Sequence, residues 1–141
     1  MRNLFKVLVL ALPCVFFAEH AAASTDYGSV AITANNQPVT HLSSSTVTST
    51  SQTFKFNIAS PTCSGGTSIP IQMVFTPASG QNHTVKEATC AGNAGDYWSC
   101  PNSGKLSCTP NSTGGTICST TLSLKYSEPA CTDFALKLEL N

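Results

Sequence analysis

Residues Thr53–Ala59 read TFKFNIA and residues Phe134–Leu140 read FALKLEL. In the first, Phe54, Phe56 and Ile58 recur at every second position, with Lys55 and Asn57 between them. In the second, Phe134, Leu136, Leu138 and Leu140 alternate with Ala135, Lys137 and Glu139. Successive side chains of an extended chain point to opposite sides, so each stretch is a strand with one apolar face and one wetted face. Such one-sided strands belong to antiparallel sheets.

Working outward, the same period recurs. Ser68–Phe75 (SIPIQMVF) sets Ile69, Ile71, Met73 and Phe75 on one side. Pro70 has no N–H to give a ladder, which places it at an edge or at the beginning of the strand. Thr116–Tyr126 (TICSTTLSLKY) groups Cys118, Leu122, Leu124 and Tyr126, and Tyr27–Ala34 (YGSVAITA) alternates Val30 and Ile32 with polar and small residues. Thr84–Thr89 (TVKEAT) reads as a further short strand, since it lacks a helical apolar stripe. Asn35–Pro38 and Pro77–Gln81 are turn clusters. The Ser/Thr-rich run from His41 to Gln52 reads as a loop leading into an edge strand, with its β-branched residues favouring extended backbone. The expected fold is therefore all-β: a small antiparallel β-sandwich of seven to eight short strands. Its analogues in architecture are immunoglobulin-like and jelly-roll sandwiches.

Residues 1–23 fit a cleaved signal peptide. Arg2 and Lys6 form a positive start, Val7–Phe17 is an apolar run too short to span a bilayer, and Ala21-Ala22-Ala23 offers a small-residue cleavage site. Residues 24–141 then form one disulfide-stabilised domain. It is exported to the cell exterior, or to the periplasm if the source is bacterial. The sequons at Asn82 and Asn111 would accept glycans only in a eukaryotic host.

The exported part carries five lysines, Lys55, Lys86, Lys105, Lys125 and Lys137, and no arginine. Phosphate backbones are bound by clustered Lys and Arg, so nucleic acid is not an expected partner. Cys14 leaves with the signal, which leaves Cys63, Cys90, Cys100, Cys108, Cys118 and Cys131. An even number of cysteines in a small exported chain is read as a disulfide framework. Zinc sites bring close-spaced ligand pairs, which these cysteines lack, so no metal or other cofactor is expected. Cys108 and Cys118 flank a turn-rich hairpin tip and Cys90 and Cys100 flank a glycine-rich loop. Six cysteines leave the connectivity open to sequence alone; the local expectation is Cys90–Cys100 and Cys108–Cys118, with Cys63–Cys131 as the third bridge.

Inside the Cys90–Cys100 loop stands Asp96-Tyr97-Trp98, which holds the only tryptophan. Adjacent aromatics on a tethered loop offer contact area at low entropic cost, and a nearby carboxylate can orient a polar ligand. Set against that, a tryptophan beside a disulfide is also a common core plug of β-sandwiches. On a strand only one of Tyr97 and Trp98 can face inward.

Catalysis finds little support. There is no G-x-S-x-G elbow, the cysteines can all be paired, and Asp96 has no credible second carboxylate for glycoside chemistry. The expectation is a non-enzymatic binding module that recognises a protein surface or glycan through Asp96, Tyr97 and Trp98. The alternatives are a structural or assembly subunit of a surface fibre or coat, and a small secreted hydrolase without a recognised motif.

Overall fold

The computed structural model describes residues 26–59, 68–91, 98–124 and 132–141. Among these residues ten strands follow in chain order: β1 (Gly28–Ala34), β2 (Gln37–Pro38), β3 (Thr46–Val47), β4 (Ser51–Phe56) and β5 (Ser68–Pro77). They continue with β6 (Val85–Ala91), β7 (Trp98–Ser99), β8 (Ser107–Pro110), β9 (Thr116–Leu124) and β10 (Phe134–Leu140). A 3-10 turn at Asn102–Gly104 is the only helical element among the described residues. The strand count exceeds the expected seven to eight because β2, β3 and β7 are two residues each. Two residues carry no readable period, and tertiary pairing alone makes them strands.

The strands form two antiparallel sheets. The larger has the order β2-β1-β5-β9-β7, with β3 also pairing with β1 and β8 with β9; the smaller has the order β4-β10-β6. Their apolar faces meet in one core. The larger sheet supplies Val30, Ile32, Ile69, Ile71, Met73, Phe75, Leu122 and Leu124, and the smaller supplies Phe54, Phe56, Ala88, Leu136, Leu138 and Leu140. The register stacks them row by row: Ile32 lies opposite Met73 and Met73 opposite Cys118. In the other sheet Phe54 lies opposite Leu136. Burying each such side chain contributes about 1.5–3 kcal/mol. Among the described residues no polar or charged side chain is buried, so this core incurs no uncompensated desolvation.

Pro70 sits near the start of β5, which is a central strand. Its carbonyl accepts a hydrogen bond from the Asn35 backbone N–H at 2.8 Å. The side on which its own N–H is missing is thus the side where β1 has already turned away. That turn is Asn35-Asn36, with φ of 51° and 63°, between Ala34 and Gln37, which pair across the hairpin. Two successive left-handed residues match the twist of a tight hairpin, and asparagine tolerates this region while β-branched residues do not. Asn35→Val is therefore expected to lower stability by about 1–2 kcal/mol, read as a shift of the urea midpoint without a change in slope.

Both edges of the sandwich are strapped. Residues 37–47 run beside β1, cross to β4 and return. Thr40 and Asn57 exchange backbone hydrogen bonds at 3.0 and 2.8 Å, Ser43 donates to the Lys55 carbonyl at 2.9 Å, and β3 then pairs with Gly28 and Ser29. The expected loop before β4 is present, and within it Val47 is fully buried. Gln52 secures this stretch with both ends of its amide, accepting from the Thr48 N–H at 2.8 Å and donating to the Thr46 carbonyl at 3.0 Å. The opposite edge is closed the same way. The chain leaves β9 after β7, bridges β6 where Leu106 donates to the Ala88 carbonyl at 2.9 Å, and rejoins β9 as β8. Each strap hydrogen-bonds to both sheets, so edge groups that would otherwise be open to another chain are engaged.

Candidate functional site

The Cys90–Cys100 pair is a disulfide, as is Cys108–Cys118, each with a sequence separation of 10. They do different things. Cys108 and Cys118 lie directly opposite each other on β8 and β9, with Cα atoms 4.0 Å apart, so that bridge closes a hairpin within one sheet. Cys90 is on β6 of the smaller sheet, and Cys100 follows β7, which pairs with β9 of the larger. This second bridge joins the two sheets. Cys63 and Cys131, the third expected pair, lie outside the described residues, as does the expected signal peptide.

Next to the inter-sheet bridge stands Trp98. It pairs with Leu124 across the β7–β9 ladder, is 4% exposed, and packs on Phe134 with ring centroids 5.6 Å apart and a tilt of 45°. Phe134 in turn stacks on Phe56 at 5.9 Å. An aromatic column thus runs from the larger sheet across β10 to β4, beside the disulfide. This corrects one part of the expected contact site. Trp98 takes the core-plug position, because its large apolar surface has more to gain between the sheets than in water, and it leaves no face for a ligand. Asp96 and Tyr97 lie outside the described residues.

The charges are distributed unequally. Among the described residues the strands of the larger sheet are free of Asp, Glu, Lys and Arg, whereas the smaller sheet carries Lys55, Lys86, Glu87, Lys137 and Glu139. Glu87 and Glu139 face each other on neighbouring strands, where like charges repel. Lys105 reaches Glu87 and Lys137 reaches Glu139, both at 3.0 Å. The hydrogen bond and charge of Lys137 hold the Glu139 carboxyl below its ordinary range. These pairs account for the smaller sheet's outer face as a solvated surface.

The outer face of the larger sheet is different. Thr33, Gln72 and Ser119 are aligned across β1, β5 and β9, and Pro70 faces Thr121 in the neighbouring row. With Asn36 of the hairpin turn, they line an open groove of ≈ 300 Å³. On the other side of that polar row lies an apolar one, Ala31–Val74–Ile117. Sequence reasoning did not single out these residues. The available signal was a run of strands without charge, but alternation alone cannot show that those strands share a sheet.

Among the described residues no three His, Cys, Asp or Glu side chains come together as a metal site, and no helix is long and apolar enough to cross a membrane. Comparison of the chain with family models, with curated proteins and with solved structures found no match.

Proposed function

We propose that the chain is an exported binding module that recognises a protein surface or a glycan and performs no chemistry of its own. The observation that carries this reading is the inter-sheet Cys90–Cys100 bridge beside the buried Trp98. Together they fix both ends of the connection from Ala91 to Trp98 onto the rigid sandwich. Connections tied to a rigid scaffold are where proteins place recognition residues, because little ordering entropy is lost on binding. With Trp98 committed to the core, Asp96 and Tyr97 are the proposed contact residues. Two disulfides agree with an oxidising compartment outside the cytosol. The fibre-subunit alternative would use an open sheet edge for strand addition, and the straps along β1, β4, β6 and β9 weigh against it.

The test is capture of partners from the protein's natural surroundings by the immobilised domain. Tyr97→Ala is expected to reduce the captured material at least tenfold while the domain stays folded, with Asp96→Asn giving a smaller loss. Undiminished capture by both variants would refute the loop as the contact site. Self-association that grows with concentration in gel filtration would instead favour an assembly subunit.

A further inference from the structure

We propose that the groove on the outer face of the larger sheet, lined by Thr33, Asn36, Pro70, Gln72, Ser119 and Thr121, is a binding site for a neutral polysaccharide. It rests on the reading of the chain as a binding module, though not on the Asp96–Tyr97 loop.

The argument begins with charge. The described strands of the larger sheet lack Asp, Glu, Lys and Arg and no charged residue lines the groove, so this lining offers nothing to balance a phosphate, a carboxylate or an ammonium. A charged ligand placed here would lose hydration without gaining an opposite charge. What the groove does offer is a dense set of neutral groups that both donate and accept. Gln72 and Asn36 have amide donors and acceptors, and the hydroxyls of Thr33, Ser119 and Thr121 serve either way. None of these side chains is hydrogen-bonded to another described residue, so their capacity is unspent. Sugar hydroxyls have the same two-way character.

The second part of the argument is the alternation of rows. The Thr33–Gln72–Ser119 row lies between the apolar Ala31–Val74–Ile117 row and the Pro70–Thr121 row. A sugar ring is polar around its rim and apolar over its C–H faces, so a chain laid across β1, β5 and β9 meets hydroxyls and amides beside aliphatic surface. Neighbouring strands stand about 4.8 Å apart, so the polar row extends roughly 10 Å, enough for more than one ring. A second copy of this chain fits less well. A two-fold contact would set the same concavity against itself, leaving a gap where packing should be.

Affinity electrophoresis tests this, with native gels cast with mixed-linkage β-glucan, hydroxyethylcellulose, dextran or soluble starch, and with alginate as the anionic control. The disulfide-intact domain is expected to be retarded by at least one neutral polymer and not by alginate. Gln72→Ala combined with Thr121→Val should weaken the apparent affinity at least tenfold, and Ser119→Lys should abolish it, both with unchanged thermal midpoints. Tyr97→Ala should keep the retardation. Lack of retardation by all four neutral polymers, retardation by alginate alone, or retardation that survives both groove variants would overturn the proposal. Retardation lost in Tyr97→Ala but kept in the groove variants would also overturn it, while upholding the loop as the contact site.

Discussion

Trp98→Ala is expected to lower the free energy of unfolding by about 3–5 kcal/mol, the range for deleting a large buried aromatic. A domain of this size has about 5–15 kcal/mol in total, so the loss is a large part of its stability. Trp98 is 4% exposed and is the larger sheet's contribution to the column with Phe134 and Phe56. Its removal would leave a void between two sheets that the adjacent disulfide prevents from closing. Trp98→Phe should recover more than half of the loss by refilling the site. Urea unfolding followed by far-ultraviolet circular dichroism is the appropriate measurement, since the variant has no tryptophan to report. In the unaltered protein that single tryptophan should emit at short wavelength and shift to the red on unfolding. A change below about 0.5 kcal/mol, the usual size for surface substitutions, would show that Trp98 is not a core residue.

Removing either described disulfide should cost about 3 kcal/mol by chain entropy, because both close loops of the same length. The consequences for function should differ. In Cys108→Ala/Cys118→Ala the β8–β9 hairpin keeps its four-residue ladder from Ser107 to Pro110, so partner capture should persist in whatever fraction is folded. In Cys90→Ala/Cys100→Ala no ladder replaces the bridge, since β6 and β7 belong to different sheets. The connection between Ala91 and Trp98 then keeps its ladder pairings to Ala135 and Leu124 but loses the covalent tie between its two ends, and capture should fall at least tenfold under conditions where circular dichroism shows a folded domain. Equal capture by the two double variants would show that the inter-sheet bridge has no part in recognition. Paired denaturation curves and pull-downs on the same samples separate the two effects.

Much of the framework was legible in the residues. Alternation in β4, β5, β9 and β10 requires only local geometry, and the structure buries the described members of the inward set that the period selects, Tyr126 lying outside the described residues. The Cys90–Cys100 and Cys108–Cys118 pairings were the expected ones among several open to the sequence, since close ends of a short turn-rich loop meet most readily, and the structure forms both. What could not be read was the role of each bridge. Equal spacing made them look alike, yet one lies within a sheet and the other between sheets. β2, β3 and β7 were likewise invisible, being fixed by long-range partners such as Thr33, Gly28 and Leu124.

The acidic-aromatic tripeptide shows the same division. Adjacent aromatics establish that one side chain at most turns inward from a strand, because neighbouring positions face opposite ways. Which one does so was decided by Phe134, far along the chain on the other sheet. Composition likewise established that charge is scarce, and each strand's own residues showed which strands lack it. Only the order of strands gathered every uncharged strand among the described residues into a single sheet and aligned Thr33, Gln72 and Ser119 across it. By itself the sequence determined the extended backbone and the apolar faces, which arise from neighbours in the chain, and made the local disulfides the expected pairs without fixing them. The inter-sheet bridge, the buried tryptophan and the neutral groove depend on which distant strands become neighbours, and packing of the two sheets into one core decided that.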